Sequence, residues 1–273
     1  MSDIIVLHAD ARAIADQICA AHFAALITDP PYADRVHNHA ISFNGSNGAG
    51  PHARDLGFAA LDDGLRSAIG AIAGSVTRWS AVFSDLESGH LWRAAVEPAG
   101  AEYIRTVPWV RWSQPQITGD RPPSGAELVC LWHARGRKHW SGPGSLTAFD
   151  TRSLRGADKY SCEKPLDLML SLVSWFSDEG ESIVDPCAGS GTTGLAARLL
   201  ERDAVLLEHD ADAAALAQKR VAAPLSGRDR ERCARWVEYQ RAWLSGDVPD
   251  TEAGAARYAR ALADTMRVER ALG

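Results

Sequence analysis

Long hydrophobic runs and paired cysteines are both missing from this chain of 273 residues. No stretch reaches the roughly 18 consecutive apolar residues that a membrane-spanning helix needs. The opening residues, MSDIIVLHAD, hold no basic leader ahead of a long apolar segment. We therefore expect a soluble, cytoplasmic protein. The five cysteines are scattered without a Cys-x-x-Cys pair, so we expect reduced thiols rather than a zinc site or a redox pair.

Positive charge is also scarce, since 29 Lys and Arg stand against 35 Asp and Glu, for a formal net charge of −6. This is unusual for a nucleic-acid binder, because Lys and Arg supply much of the affinity for phosphates. Residues 100–160 are the exception, with nine basic and five acidic residues, a local charge of +4 that leaves −10 for the remainder. This segment is a candidate DNA face, although an ordinary solvated surface is an equally good interpretation.

Short β-rich runs that end in an acid alternate with helical patterns along the chain. The runs are residues 4–10, 24–29, 81–85, 181–185 and 204–208. The helical patterns cover residues 12–21, 61–73, 166–176, 193–200 and 211–221. This alternation predicts an α/β fold with a doubly wound, mostly parallel sheet, in which ligands bind at the carboxyl ends of the strands. Runs at 103–112 and 127–133 predict an antiparallel pair at one sheet edge.

The predicted organisation is one catalytic domain, residues 1–223, with long loops inserted at 33–57 and 134–162. Long irregular loops in a compact domain are commonly functional. His37, His39 and His52 lie in the first loop without a carboxylate or cysteine at ligand spacing, so we predict no metal site. Residues 224–273 are strongly charged and predict a helical extension, with helices at 230–244 and 251–272. Trp236, Tyr239 and Trp243 share one face of the first of these helices and predict a packing surface.

The residues Asp29-Pro30-Pro31-Tyr32 directly follow the second predicted strand. Each Pro fixes its own φ, and Pro30 disfavours helical backbone at Asp29, so the segment predicts a stiff elbow. Such an elbow suits amino-group chemistry on a nucleic-acid base, whose nitrogen lone pair is delocalised into the ring. The Asp29 carboxylate and the Pro30 carbonyl can accept both N–H bonds and localise that lone pair. Tyr32 offers a flat face for a base turned out of the duplex.

A second motif, residues 185–194 (DPCAGSGTTG), follows another predicted strand and opens a helix. Its glycines allow close approach of a ligand, and the helix N-terminus favours a negatively charged group. Glu208 ends the next strand and is placed to accept hydrogen bonds from ribose hydroxyls. Gly189, Gly191 and Gly194 also spell the dinucleotide fingerprint, so the glycine turn alone leaves an NAD-linked oxidoreductase open.

The two motifs together resemble the β class of DNA amino-methyltransferases, S-adenosylmethionine-dependent enzymes in which an Asp-Pro-Pro-Tyr elbow precedes the glycine turn. The likeness spans residues 4 to about 221 and implies a permuted Rossmann-like methyltransferase fold with direct methyl transfer to a flipped base. Related RNA enzymes usually have the glycine turn first, so the order points to DNA. Asp as first letter is usual for adenine N6 and Ser for cytosine N4. The chain departs from the family at Tyr160-Ser161 and at Cys187.

The resemblance implies roles for individual residues. The predicted catalytic residues are Asp29, Pro30, Pro31 and Tyr32. The predicted cofactor-binding residues are Asp10, Ala11, Asp29, Lys164, Pro165, Asp185, Pro186, Cys187, Gly189, Ser190, Gly191, Thr192, Glu208 and His209. Cys187 is not predicted to be a nucleophile. A basic loop that would contact DNA comprises Arg135, Arg137, Lys138 and His139, with the long loops serving target recognition.

The predicted partner is double-stranded DNA, and the resemblance further implies a possible homodimer, a possible companion restriction endonuclease, and a nucleoid-associated protein of bacterial or phage origin. Three other functions stay open at this point. They are an NAD-linked oxidoreductase, an RNA methyltransferase, and a DNA-binding regulator that kept the fold without the activity. Trp109 is predicted to pack in the core rather than to contact a base.

Overall fold

Runs of Ala, Val, Leu and Ile fill both faces of the central strands, as buried parallel strands require. The computed structural model describes residues 2–32, 41–42, 52–53, 61–110, 125–142, 149–150 and 163–245. The strands are Ile4–His8 (β1), Ala25–Thr28 (β2), Ile41–Ser42 (β3), His52–Ala53 (β4), Trp79–Ser84 (β5), Ala101–Val110 (β6), Ala126–Ala134 (β7), Phe149–Asp150 (β8), Ser182–Asp185 (β9) and Asp203–Glu208 (β10). The helices are Ala11–Ala20 (α1), Asp63–Ser75 (α2), Gly89–Val96 (α3), Leu166–Phe176 (α4), Thr192–Leu199 (α5), Ala211–Ala222 (α6) and Gly227–Ser245 (α7), with a 3-10 turn at Glu97–Ala99.

Eight strands form one sheet in the order β1-β10-β9-β2-β5-β7-β6-β8, and β3 pairs with β4 separately. Among the described strands of the larger sheet, β7 alone is antiparallel to its neighbours, β5 and β6. The predicted mostly parallel sheet with an antiparallel pair is therefore confirmed, although the short β8 rather than the pair itself lies at the edge. The chain leaves β9 towards β10 and leaves β2 towards β5, so the two halves of the sheet diverge between β9 and β2. In open α/β sheets a ligand crevice opens at such a switch point.

The helices fall into two groups that cover the sheet. Helix α1 contacts α2, α2 contacts α3, and their apolar side chains share one core cluster. Helix α5 contacts both α4 and α6. Right-handed crossovers that run in opposite directions along a sheet place their helices on opposite faces, which explains the two groups.

The five predicted strands and five predicted helices of the parallel region all form, with ends shifted by at most two residues. Helix α3 was not predicted. Its eight residues carry Trp92 and Val96 as buried positions four apart, too short a pattern to establish a helical period. Most of the predicted loops and the predicted helix at 251–272 lie outside the described residues.

Two compact units divide the chain, one of residues 1–142 and 146–233 and one of residues 143–145 and 234–273. Helix α7 contains the predicted helix at 230–244 and begins three residues earlier. Trp236 is buried, and the side chains of Tyr239 and Trp243 lie outside the described residues, so the packing face stays a prediction. Across the part of the chain that is described, no helix combines the length and the low polarity that crossing a membrane requires.

Candidate active site

Five neighbouring parallel strands each end in, or are followed by, a carboxylate at the same edge of the sheet. In spatial order from β1 to β5 these acids are Asp10, Glu208, Asp185, Asp29 and Asp85. Asp29 and Asp185 stand 156 residues apart in sequence (185 − 29). Their strands pair directly, with Leu26 opposite Val184. The structure thus brings the elbow and the glycine turn together at adjacent strand ends.

Asp29 lies within a small polar cluster, defined here as Asp29, Tyr32, Glu127 and Lys164. The Lys164 ammonium donates to Asp29 Oδ2 and lies 3.2 Å from Glu127 Oε2. The Tyr32 hydroxyl donates to Glu127 Oε2 at 2.6 Å and approaches Asp29 Oδ1 at 3.4 Å. The elbow is therefore fixed by side chains from two distant parts of the chain.

The Asp29 carboxyl has a raised pKa because burial penalises its charged form. The Lys164 charge opposes this rise, whereas the nearby Glu127 charge adds to it. About a quarter of the Asp29 side chain, 26%, still reaches solvent. The carboxylate is thus enclosed by protein but accessible from one side, and Pro30 behind it is buried.

Aromatic rings surround the ammonium of this cluster. Lys164 Nζ lies 5.0 Å from the ring centre of Phe83, 5.6 Å from Trp109 and 5.8 Å from Tyr32. Trp109 is buried and meets Phe83 edge-on, with ring centres 6.2 Å apart. The ring of Trp109 thus packs in the core as predicted, and the apolar wall strengthens the charge interactions inside it.

Glu127 is a site residue that sequence reasoning missed. It is the second residue of β7 and pairs with Trp109 of β6. Because β7 runs against β5, the start of β7 lies where the parallel strands end, so Glu127 reaches Asp29. The available signal in the sequence was a lone acid in a mostly apolar predicted strand, ELVCLWH. In the structure 6% of the Glu127 surface is exposed.

The glycine turn is organised by Asp185. Its carboxylate accepts hydrogen bonds from the Thr193 hydroxyl at 2.5 Å and the Cys187 amide at 3.1 Å, and burial raises its pKa to about 6. Gly189 and Gly191 have φ of 52° and 80°, a left-handed backbone that favours glycine. Asp185 therefore holds the shape of the turn, with Pro186 following it.

Glu208 closes the turn from the neighbouring strand. Its two carboxylate oxygens accept the amide of Gly189 at 2.8 Å and the amide of Asp210 at 2.9 Å. The ring of His209 is largely exposed, with Nδ1 3.3 Å from Glu208 Oε1. Glu208 is thus fixed at the rim of the glycine turn, and two backbone bonds leave about half of its lone pairs for a ligand.

The remaining predicted cofactor residues lie along the same edge. Asp10 caps α1 and is paired with Arg12, which holds the pKa of its carboxyl below the usual value, and Ala11 beside it is buried. Arg220 donates to the hydroxyls of Ser190 at 3.1 Å and Thr192 at 3.2 Å. Pro165 links Lys164 to the start of α4.

Cys187 follows Asp185 at the end of β9. Burial, together with the charges of Asp185 and Glu208, raises the pKa of its thiol well above the ordinary value. A protonated thiol is a weak nucleophile, in line with the prediction that Cys187 forms no covalent intermediate.

The structure does not bring the predicted DNA-binding loop to this site. Arg135, Arg137, Lys138 and His139 follow the end of β7, and His133 pairs with Trp79 at the start of β5. They therefore lie at the amino ends of the parallel strands, the opposite edge of the sheet. Arg135 donates to the Gly100 carbonyl and Lys138 pairs with Glu102. These side chains are placed to brace β6 against β7, and the dense positive charge that suggested DNA binding is partly matched locally.

The geometry agrees with a comparison of the chain against protein families. Residues 97–219 match the family model described as DNA methylase, the N6/N4 methyltransferases. The matched segment runs from the 3-10 turn to α6 and includes Glu127, Lys164, the glycine turn and Glu208. Over these residues the chain is similar to the N6/N4 DNA methylases. No curated protein matches the chain.

Three solved structures have a similar fold, and two of them are described as a DNA modification methylase and a DNA methyltransferase. M1.HpyAVI in its SAM complex shares 22% identity, covering 81% of this chain and 100% of that chain with a TM-score of 0.58. A Thermus thermophilus protein assigned as a DNA modification methylase, complexed with S-adenosyl-L-methionine, shares 16% identity over 81% of this chain and 93% of its own, with a TM-score of 0.55. The cytosine-N4-specific PvuII DNA methyltransferase shares 11% identity over 90% and 94%, with a TM-score of 0.59. At these identities the likeness establishes the fold.

Proposed function

We propose that this protein transfers a methyl group from S-adenosylmethionine to the N6 amino group of adenine at specific sites in double-stranded DNA. The observation that supports it is the Asp29 carboxylate, held half-buried at a strand end directly beside the glycine turn. The similarity to the DNA methylases supports a DNA amino-methyltransferase of the N6/N4 group. The preference for adenine depends on Asp as the first residue of the elbow, and N4 of cytosine is the alternative. A homodimer and a companion endonuclease stay predictions from the resemblance.

The residues of the glycine turn fit S-adenosylmethionine. Glu208 presents a fixed carboxylate with lone pairs left for ribose hydroxyls, and the left-handed Gly189 and Gly191 keep side chains out of the turn. The N-terminus of α5 and the hydroxyls of Ser190 and Thr192 offer donors to a carboxylate. When bound, this cofactor supplies a methyl group on a sulfonium, which is a strong electrophile.

On the base side, the chain holds and activates the amino group. The Asp29 carboxylate and the Pro30 carbonyl accept its two N–H bonds, so the nitrogen lone pair points away from the ring plane. The hydroxyl of Tyr32 is fixed by Glu127, which sets the orientation of a ring able to stack on an extruded base. As the new C–N bond forms, the methyl–sulfur bond would break and leave a neutral thioether, and the nitrogen would gain positive charge that the nearby carboxylates stabilise. The surplus N–H proton would then pass to the Asp29 carboxylate and from there to solvent.

The test compares two acids at neighbouring strand ends. In the Asp29→Ala variant, labelled-methyl uptake into duplex DNA is expected to fall by about a hundredfold or more, while calorimetric binding of S-adenosylmethionine stays measurable. Asp85→Asn is the matched control, because Asp85 accepts the amides of Glu87 and Ser88 as a local cap, and its turnover should stay near that of the wild type. Retained turnover in Asp29→Ala would overturn the mechanism.

A second measurement decides the target base. DNA from cells that express the wild-type chain is digested to nucleosides and analysed by mass spectrometry, with the Asp29→Ala strain as background. We expect N6-methyladenine to appear only with the active chain. N4-methylcytosine in its place would keep the enzyme class and replace the base, and methyl uptake only into transfer RNA would overturn the DNA proposal.

A further inference from the structure

Glu127 fixes the Tyr32 hydroxyl, and it also lies beside the lysine that contacts Asp29. Its carboxylate is almost fully buried, accepts the Tyr32 hydroxyl at 2.6 Å, and lies 3.2 Å from Lys164 Nζ. The same ammonium donates to Asp29. One lysine is therefore shared between two carboxylates that come from different strands.

The charges of this cluster do not cancel. Asp29 and Glu127 each carry a negative charge when ionised, Lys164 carries one positive charge, and the rings of Tyr32, Phe83 and Trp109 line the space. Counted over these three ionisable side chains alone, the formal charges sum to −1, in surroundings of low polarity where charge interactions are strong. Burying a second carboxylate is costly, and it adds to the rise of the Asp29 pKa.

The sharing of Lys164 affects how well Asp29 can accept a hydrogen bond from an incoming amino group. If Lys164 were paired with Asp29 alone, that pair would be neutral, and the ammonium would compete fully with an incoming amino group for the Asp29 oxygens. With Glu127 as a second partner, Asp29 keeps both acceptor capacity and negative charge. The amino nitrogen becomes positive as it accepts the methyl group, so net negative charge at this position favours the transition state over the ground state.

We propose that Glu127 is a positioning residue for methyl transfer, which shares the Lys164 ammonium with Asp29 and fixes the Tyr32 hydroxyl. The proposal rests on the proposed function. Glu127 acts through Asp29, Lys164 and Tyr32 and forms no bond to the transferred group.

The test uses three variants of the full chain at saturating S-adenosylmethionine. Glu127→Gln keeps the size and can still accept the Tyr32 hydroxyl, but it leaves the cluster neutral. Its kcat is expected to fall at least about tenfold, with KM for DNA and Kd for S-adenosylmethionine changed by less than about threefold. Lys164→Met leaves two carboxylates together, and the double variant Glu127→Gln/Lys164→Met restores a net charge of −1 through Asp29 alone.

The double variant is expected to recover most of the kcat that Glu127→Gln loses, which a purely structural role of Glu127 would not produce. The dependence of kcat on pH gives a second readout. Asp29 faces Lys164, Glu127 and Tyr32 and lies beside Asp185. Only its ionised form supplies the negative charge that stabilises the methylated nitrogen, and it is also the stronger acceptor. Loss of the Glu127 charge removes one cause of the raised Asp29 pKa, so the acid limb should move to lower pH in Glu127→Gln and to higher pH in Lys164→Met.

The outcomes separate this inference from the proposed function. If Asp29→Ala is inactive while Glu127→Gln matches the wild type in kcat and pH profile, only the role of Glu127 fails. A loss in Glu127→Gln with an unmoved acid limb and no recovery in the double variant also overturns it. Thermal unfolding of each variant reports on folding, and if Glu127→Gln does not fold, the acid limbs of Lys164→Met and the double variant are compared instead. Equal limbs in those two variants would count against the inference.

Discussion

The two edges of the same sheet handle charge in opposite ways. At the centre of the carboxyl edge, burial raises the pKa values of Asp29 and Asp185, whereas Asp10 at the flank of this edge is paired with Arg12. At the amino edge, buried Arg78 pairs with Asp178 at 2.9 Å and with Glu181, and the pKa of Asp178 is lowered. Acidic residues thus carry an unfavourable buried charge at the centre of the carboxyl edge, whereas at the amino edge they form ion pairs.

This difference separates function from stability. Paired, hydrogen-bonded charges stabilise the folded state, whereas crowded buried carboxylates cost free energy and persist where chemistry needs them. Rings pack around the amino edge, with Trp79 stacked on Phe176 at 5.4 Å and edge-on to His133 at 4.7 Å. Substitutions at the amino edge should therefore change stability alone, whereas at the carboxyl edge substitutions in the elbow and beside the glycine turn should change ligand binding or turnover.

The largest stability effect is expected for Arg78→Met. It removes a cation whose side chain is 9% exposed and leaves Asp178 and Glu181, which are 46% and 34% exposed, without that partner. Because solvent screens the two acids, we expect the free energy of unfolding to fall by about 2 kcal/mol rather than by the full cost of a buried pair. Urea denaturation measures it, and methyl transfer per folded molecule should be unchanged.

Arg93→Met is the matched control for this effect. Arg93 pairs with Glu97 one helical turn away, and the two side chains are 51% and 38% exposed. Because solvent screens both side chains, we expect the free energy of unfolding to change far less than in Arg78→Met. A large loss of turnover in Arg78→Met at full folding would contradict the separation between the edges.

The two ends of β10 allow a finer comparison. Glu208→Gln at the carboxyl end should weaken S-adenosylmethionine binding about tenfold, or about 1.4 kcal/mol, because a charged acceptor that also holds the Gly189 amide is lost. Asp203→Asn at the amino end changes a carboxylate that accepts the amide of Asp3 at 2.8 Å, and it should leave binding unchanged. Calorimetric titration with S-adenosylmethionine measures both. Equal Kd values for the two variants would show that Glu208 does not contact the cofactor.

The parallel half of the fold and the row of acids were predictable because each signal is local. A run of apolar residues followed by Asp or Glu specifies both a buried strand and the carboxylate at its end, as in AALITD before Pro30. The meeting of Asp29 with Asp185 also followed from the rule that parallel strands share a carboxyl edge. Glu127 could not be found in this way, because its partners Tyr32 and Lys164 lie 95 and 37 residues away and depend on the reversal of β7.

The position of the predicted DNA-binding loop could not be derived from local sequence signals either. The charge density of residues 100–160 is a property of composition, and it contains no information on which sheet edge the charges occupy. Strand direction decides this. The end of β7 lies beside the start of β5, so Arg135 to His139 are placed away from the elbow.

The dependence of stability on pH tests whether burial raises the pKa of Asp185 at the carboxyl edge. The folded pKa of Asp185, about 6, lies above its ordinary value of 3.8, so the folded state binds more protons in that window. This contribution therefore lowers the free energy of unfolding as pH rises from about 4 to 6, by up to about 1.4 kcal/mol per pH unit. Asp185→Asn removes it, and denaturation at several pH values should show that the wild type loses stability relative to the variant across the window. A constant difference between the two would refute the raised pKa.

The smallest expected effect is for Lys138→Gln, which tests whether DNA reaches the amino edge. Lys138 pairs with Glu102 at 2.8 Å, and the two side chains are 37% and 51% exposed, so denaturation should show little or no change in stability. We expect DNA affinity and its dependence on salt to be unchanged, because the elbow lies at the other edge. A phosphate contact would instead lower the slope of log K against log salt by about 1. That result would place DNA against both edges of the sheet. The amino edge would then bind DNA as well as stabilise the fold, and the two edges could not be told apart by how their charges are paired.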